Sequence, residues 1–160
     1  MPDTEPARIH TIIHARVEEA RRGENPAVIA RLRSGWLVMG EHQVVPYYCV
    51  LLPDPVVPDL NALEGSARVQ YLADMTAVGD TLLRITDARR INYEILGNVE
   101  PALHAHVTPR YEWEPEENRS KPQWFYDRSR APAFDPVAHR EIMTKIADAL
   151  RAGGISVESN

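Results

Sequence analysis

The chain has 160 residues, of which 44% are apolar and 26% charged, and its formal net charge is −5. This length suits one domain with a sizeable core, because domains usually contain about 100–150 residues. A net acidic chain is a poor candidate for nucleic-acid binding, which depends on neutralising phosphates. The sequence has no run of about 20 apolar residues, the length needed to cross a membrane. Met1–Glu5 carry acids rather than a signal-peptide pattern. We therefore expect one cytoplasmic domain over residues 1–160, with no nucleic-acid or membrane partner.

The first part of the chain is predicted to be helical. Apolar residues recur there at four-residue steps, at Ile9, Ile13 and Val17. Asn25 followed by Pro26 is typical of a second helix start. The pattern predicts a helical extension over about residues 7–33, interrupted at Gly23–Pro26, with its second piece at Pro26–Arg33.

Two β-rich segments follow and predict a hairpin. Gly35–Gly40 and Val44–Leu52 are separated by the turn residues Glu41–Gln43. The single cysteine, Cys49, lies in the second segment and cannot form an internal disulfide. We predict that it is a small buried core residue.

A long helix is predicted after the proline-rich segment Pro53–Pro58. Asn61 and Glu64 resemble a capping box at its start. Apolar residues then repeat at three to four positions, which defines one buried face ending near Asp87. These residues are Leu72, Met75, Val78, Leu82 and Ile85.

The second half of the chain predicts two more strands and a last helix. The strands are Arg90–Leu96 and Ala102–Thr108, and the helix is Pro136–Ala152. Between them, Tyr111–Pro136 is rich in proline and aromatic residues and is predicted to wrap over the surface. The element order predicts an α+β domain with an antiparallel sheet, a long helix after the first hairpin, and N- and C-terminal helices.

Two histidines stand out in the fourth predicted strand. His104 and His106 point to the same side, because side chains alternate along a strand. Two imidazoles on an exposed sheet face are hard to explain as packing, so the pair favours a function. One possibility is metal binding, for which no third ligand is obvious nearby. The other is nucleophilic catalysis, in which one ring attacks and its neighbour donates to an oxygen.

The sequence around these histidines resembles the signature of the histidine triad (HIT) family, whose members hydrolyse or transfer nucleotide phosphates. That signature is His-φ-His-φ-His, with φ apolar, often followed by Pro-Arg, and Ala102–Arg110 reads ALHAHVTPR. Asn92–Asn98 (NYEILGN) and Trp36–Gln43 (WLVMGEHQ) are similar to one branch of the family, as are Arg110–Tyr111 and Lys121–Trp124. The resemblance implies a HIT core at about residues 34–124, followed by a C-terminal arm and helix at about 125–152.

The resemblance implies an activity as well as a fold. It implies a homodimeric enzyme, without a cofactor or metal, that cleaves a dinucleoside polyphosphate or a nucleoside phosphoramidate at the α-phosphate. By position, His104 matches the nucleophile that forms a covalent intermediate, and His106 matches the histidine that contacts the phosphate and assists the leaving group. Asn98 matches a residue that holds phosphate oxygens. The implied nucleotide-binding residues are Glu41 at the ribose hydroxyls, Asn92, His42 and Tyr48.

Two positions depart from the family pattern. Ala102 replaces the first histidine of the triad, and Tyr48 replaces a histidine after the hairpin. In the family a backbone carbonyl largely orients the nucleophile, so the loss of the first side chain need not abolish attack. Two alternatives remain open: a nucleotide-binding protein with little or no catalysis, and a metalloprotein that uses His104 and His106.

An acidic protein that binds a polyanion needs a local positive charge. Basic residues flank the motif and would supply a positive rim or, equally, a solvated surface. They are Arg89, Arg90, Arg110, Arg119, Lys121, Arg128 and Arg130.

Overall fold

The computed structural model describes residues 9–156, so Met1–Glu5 and the start of the predicted extension at Ala7 lie outside the described residues. Its centre is a five-stranded antiparallel sheet with the strand order β1-β2-β3-β5-β4. The strands are β1 Val28–Arg31, β2 Gly35–Met39, β3 Cys49–Pro53, β4 Arg90–Glu94 and β5 Ala105–Arg110. The helices are α1 Ile12–Arg21, α2 Gly65–Ile85, α3 Glu116–Arg119 and α4 Arg140–Ala152. No helix within this part of the chain is long and apolar enough to span a bilayer.

The sheet buries a different apolar cluster on each face. One cluster packs against α2 and α4 and includes Leu51, Tyr71, Val78, Leu82 and Val107. The other packs against α1 and includes Ile13, Val17, Trp36, Tyr48 and Val50. Because side chains alternate along β5, Ala105 and Val107 face α2, and the histidine between them faces the α1 side.

Several sequence predictions are confirmed. The fold is α+β with an antiparallel sheet, and β2 and β3 form the predicted hairpin, in which Trp36 pairs with Leu52. Cys49 is completely buried. The long helix follows the hairpin. The last helix, α4, begins at Arg140 rather than at the predicted Pro136 and ends at Ala152, where the N–H of Gly153 donates to the carbonyl of Ala149 at 3.1 Å.

The prediction of a helix at Pro26–Arg33 is wrong, because this segment contains β1. Asn25 does not cap a helix: its side chain accepts from the Ala27 N–H at 3.0 Å and forms a turn. Val28 then pairs with Val38 of β2, and Ile29 is buried in the cluster beneath α2 and α4. A short apolar segment of this kind has too few residues for its periodicity to separate strand from helix.

The predicted capping box is also wrong. Asp59, not Asn61, accepts a hydrogen bond, from the Ala62 N–H at 2.9 Å, and it caps the short 3₁₀ turn Leu60–Ala62. Glu64 precedes α2 without a side-chain capping bond, and the helix begins at Gly65. The 3₁₀ turn Leu60–Ala62 and the helix α2 are therefore separate elements, whereas the pattern predicted one helix start.

Two strands begin later than predicted, and the strand ends differ by one or two residues. The second strand begins at Cys49 rather than Val44, because the chain turns through Tyr47, whose φ is +68°. The predicted strand Ala102–Thr108 begins only at Ala105. Leu103 instead donates its N–H to the carbonyl of Val57 at 2.8 Å, outside the sheet.

The segment Tyr111–Pro136, called the arm below, closes over the α1 side of the sheet. It contains α3 and two 3₁₀ turns, Gln123–Phe125 and Arg128–Arg130. It joins the hairpin loop through backbone hydrogen bonds from Gln43 to Pro132 at 2.9 Å and from Phe134 to Glu41 at 2.7 Å. The sheet face predicted to be exposed is therefore partly covered by the arm and by α1.

Candidate active site

His104 lies immediately before β5 and is held by a backbone carbonyl. Its Nδ1 is 2.8 Å from the carbonyl oxygen of Ala102. A carbonyl oxygen only accepts hydrogen bonds, so Nδ1 carries the hydrogen. In the neutral ring the lone pair is then on Nε2, the nitrogen that a nucleophile needs.

His106 lies on β5 and is buried, with 8% of its surface exposed. Its Nδ1 is 2.6 Å from the hydroxyl oxygen of Tyr48. Burial, together with smaller effects of the neighbouring His104 and Arg128, lowers the pKa of His106 to about 3. The ring is therefore neutral near pH 7 and acts there as a hydrogen-bond partner.

Four side chains form a row of contacts through the site. The rings of His104 and His106 meet edge-on, with centroids 4.9 Å apart. Trp124 of the arm packs against His106 at 4.8 Å, and the Arg128 guanidinium lies 4.8 Å from the Trp124 ring centroid. The arm thus completes one wall of the site, which the strand alone does not form.

A half-buried carboxyl group lies beside this row of side chains. Glu94 of β4 is paired in register with His106, and burial raises the pKa of its carboxyl group. Gln123 of the arm donates from Nε2 to the Thr108 hydroxyl at 2.9 Å. These contacts connect β4, β5 and the arm around His106.

The two imidazoles open onto a cavity of about 550 Å³. This volume lies in the range of small-molecule sites, which is about 300–1,000 Å³. Its wall combines polar and charged side chains with apolar side chains of α1, β3 and the loop after β4. The lining includes Ile12, Ile13, Arg16, Glu41, Tyr48, Val50, Leu96, Asn98, His104, His106, Trp124 and Arg128.

The structure brings together most of the site residues suggested by the sequence. Asn98, Glu41 and Tyr48 line the same cavity as the two histidines. Asn98 is exposed in the loop after β4, and Glu41 accepts a hydrogen bond from Arg16 Nη2 at 3.1 Å. Tyr48 is 2% exposed and reaches the cavity beneath His106.

Two suggested residues lie elsewhere. Asn92 accepts a hydrogen bond from Arg110 Nη1 at 2.8 Å and lines a separate cavity along β4. Its side chain is on the same sheet face as His106. It lies opposite Thr108, two residues away from the pairing partner of His106, and Arg110 binds it there. His42 lines a neighbouring cavity of about 310 Å³ that shares Arg16 and Glu41 with the main one.

The fold does not gather the predicted basic residues around the main cavity. Of the seven basic residues, all within the described part of the chain, Arg128 is the one that lines the main cavity. Arg110 is buried in an ion pair with Glu114 at 2.9 Å, and Arg89 and Arg119 both pair with Glu112. Sequence analysis missed Arg16, which lines the cavity from α1. The helical pattern around Ile13 and Val17 was visible, but nothing in it indicated that α1 packs beside the motif.

The site does not supply a third metal ligand. Within residues 9–156, no group of three or more His, Cys, Asp or Glu side chains could hold a metal ion. One nitrogen of each imidazole is also already engaged, by Ala102 and by Tyr48.

Fold and site together define an α+β protein that presents two neighbouring imidazoles to a small-molecule cavity. No protein-family model matches the sequence, and no curated protein matches it. Solved structures do match. A histidine triad protein from Sinorhizobium meliloti is 25% identical, with a TM-score of 0.68 over 81% of this chain and 94% of that one.

Two further structures support the same assignment of the fold. A histidine triad protein from Bradyrhizobium japonicum is 20% identical, with a TM-score of 0.67 over 81% of this chain and 94% of its own. A Hit-like protein involved in cell-cycle regulation, from Bartonella henselae, is 15% identical, with a TM-score of 0.65 over 88% of this chain and 96% of its own. The chain has the histidine triad fold, as the sequence motif predicted.

Proposed function

We propose that this protein binds a nucleotide in the main cavity and cleaves it at the α-phosphate, with His104 as the nucleophile. The observation that supports this most directly is the 2.8 Å contact between His104 Nδ1 and the Ala102 carbonyl. The contact leaves the lone pair on Nε2, even though alanine (Ala102) replaces the first histidine of the family motif in this chain. The backbone at this position performs the orientation, so the alanine side chain does not prevent it.

The proposed reaction has two steps. Nε2 of His104 attacks the α-phosphorus in line, the bond to the leaving group breaks, and a nucleotidyl-histidine forms. Water then attacks the same phosphorus and releases the nucleoside monophosphate and the free imidazole. His106 and Asn98 would donate hydrogen bonds to oxygens on which negative charge develops, and one such donor typically contributes about 10²–10³ in rate.

The polar lining suits a dinucleoside polyphosphate or a nucleoside phosphoramidate, the substrates that the family resemblance implies. Arg16 and Arg128 line the cavity from α1 and the arm and offer positive charge to phosphate oxygens. The Glu41 carboxylate would accept hydrogen bonds from ribose hydroxyls. It already accepts one from Arg16, so it would either accept from both partners or lose the bond to Arg16.

We expect His104→Ala to lower kcat by at least about 10³-fold with either substrate class, because the attacking atom is lost. The affinity for AMP should change only a few-fold, since the rest of the cavity remains. Turnover is measured by product chromatography and AMP binding by calorimetry. The control is His139→Ala, which removes a partly exposed histidine that stacks on Phe134 and does not line the main cavity. Unchanged turnover in the His104 variant would refute the nucleophile.

A binding protein with little or no catalysis is the second candidate. It is favoured by the replacement of two family histidines by Ala102 and Tyr48. Under this alternative the wild-type protein binds AMP but turns over neither substrate class. The same experiments therefore separate the two functions.

A further inference from the structure

The shortest side-chain hydrogen bond in the site is made by a residue that departs from the family pattern. The Tyr48 hydroxyl lies 2.6 Å from His106 Nδ1, and both side chains are buried. Within residues 9–156, this is the one hydrogen bond that the Tyr48 hydroxyl makes by distance and angle.

The direction of this hydrogen bond follows from the charge states of the two groups. Burial raises the pKa of Tyr48 to about 12, against smaller opposing effects of Arg128 and Gln123, so the phenol keeps its proton near neutral pH. His106 is neutral, because burial lowers its pKa to about 3. A neutral imidazole has one N–H and one lone pair. A phenol can donate or accept, but within residues 9–156 the Tyr48 hydroxyl has no other acceptor by distance and angle. Accepting from an Nδ1–H would leave this buried O–H unpaired, so the phenol donates to the lone pair of Nδ1, and the ring hydrogen lies on Nε2.

The two neighbouring histidines thereby hold opposite tautomers. Ala102 accepts from Nδ1 of His104, which leaves a lone pair on Nε2. Tyr48 donates to Nδ1 of His106, which leaves a hydrogen on Nε2. A nucleophile needs the first arrangement, and a donor to phosphate or leaving-group oxygens needs the second.

We propose that Tyr48 is a positioning residue that fixes His106 as the Nε2–H tautomer and so makes it a hydrogen-bond donor toward the substrate. Tyr48 acts through His106 and is not itself in contact with the reacting atoms. The tautomer follows from the buried Tyr48–His106 contact and from the neutral state of both groups, whereas its use in catalysis rests on the proposed function.

Nitrogen-15 NMR of the histidine side chains tests the tautomer without any substrate. In the wild-type protein we expect His106 as Nε2–H and His104 as Nδ1–H, with the signals assigned by their loss in His106→Gln and His104→Gln. In Tyr48→Phe the His106 nitrogens should shift toward the average of the two tautomers. The matched control is Tyr71→Phe, which removes another buried hydroxyl, one that donates to Leu51 on the opposite sheet face; it should leave both histidines unchanged.

Two spectral outcomes would overturn the proposal. One is a wild-type His106 that carries its hydrogen on Nδ1. The other is a Tyr48→Phe protein in which His106 keeps the full Nε2–H signature. The first does not use the Tyr48 variant, so the test holds even if Tyr48→Phe does not fold.

Kinetics test the catalytic consequence. Tyr48→Phe should lower kcat about 10–10²-fold for a substrate with a poor leaving group and less for one with a good leaving group, with KM nearly unchanged. His106→Ala should show the same leaving-group trend, and the double variant should lose little more than His106→Ala alone. Equal losses for both leaving groups, or additive losses, would contradict a role through His106. If the wild-type protein has no turnover, the proposed function fails, while the NMR result still decides the tautomer.

Discussion

At the scale of single residues, burial sets the charge of His106 and links it to stability. The pKa of this imidazole is about 3 in the folded protein and about 6.5 in an unfolded chain. Between these values the unfolded chain binds a proton that the folded protein excludes. The stability due to the neutral ring is thus complete above pH 6.5 and is lost as the pH falls toward 3.

A comparison of pH 7.5 with pH 5 tests this linkage. His106→Gln should reduce the loss in free energy of unfolding between these values by about 1–2 kcal/mol, because one differential proton corresponds to about 1.4 kcal/mol per pH unit. Urea unfolding followed by circular dichroism measures the difference. The groups that face the ring, namely Tyr48, His104, Glu94 and Arg128, remain in the variant. Tyr71→Phe, on the opposite face, should lower stability without altering its pH dependence, and an unchanged dependence in His106→Gln would contradict the buried neutral imidazole.

At the scale of elements, the arm depends on a buried ion pair. Arg110 and Glu114 have side chains that are 5% and 0% exposed. Burial alone would raise the pKa of Glu114, but hydrogen bonds from Arg110, Tyr126 and the Tyr111 amide hold it below its usual value. Because the same arm carries Trp124 and Arg128 to the site, this pair connects the stability of the arm to the geometry of the cavity.

We expect Glu114→Ala to cost about 3–5 kcal/mol in free energy of unfolding, since it leaves the Arg110 charge buried without its partner. The matched control is Glu112→Ala, two residues away, which breaks exposed pairs with Arg89 and Arg119. That variant should cost no more than about 1 kcal/mol. Chemical denaturation compares the two, and similar small costs would show that the buried pair does not hold the arm.

At the scale of the whole molecule, the sheet ends in a strand whose outer edge is unpaired among residues 9–156. β4 pairs with β5 on one side and is the last strand in the order. Tyr93 on this strand is 38% exposed, and Leu96 and Val99 just after it are 52% and 91% exposed. Soluble proteins usually protect such an edge, for example by covering it with another chain.

We expect the protein to form a homodimer, in agreement with the family resemblance, and the β4 edge is a surface available for the contact. Light scattering coupled to gel filtration should give twice the mass of the 18.1 kDa chain across the micromolar range. A single-chain mass at every concentration would contradict the homodimer.

Much of the fold was predictable because strong patterns are local. Two short β-rich segments and the turn residues between them predicted the β2–β3 hairpin, and the repeat from Leu72 to Ile85 predicted α2. The segment around Val28 was misread because four residues do not distinguish a strand from a helix until a neighbouring strand pairs with them. His104 and Tyr48 were recognised from the motif and the hairpin, but the hydrogen bonds that define their roles join residues that no local pattern relates.

By itself, the sequence determined the α+β fold and the adjacency of His104 and His106, because both follow from periodicities and spacings within short segments. Only the tertiary structure decided which other side chains share their cavity. Arg16, Tyr48, Trp124 and Arg128 come from a helix, a hairpin and an arm that are distant in the chain, and Asn92 is held elsewhere by Arg110. The physical reason is that tautomer, burial and charge depend on distances of a few ångströms between elements, and packing of the whole chain sets those distances.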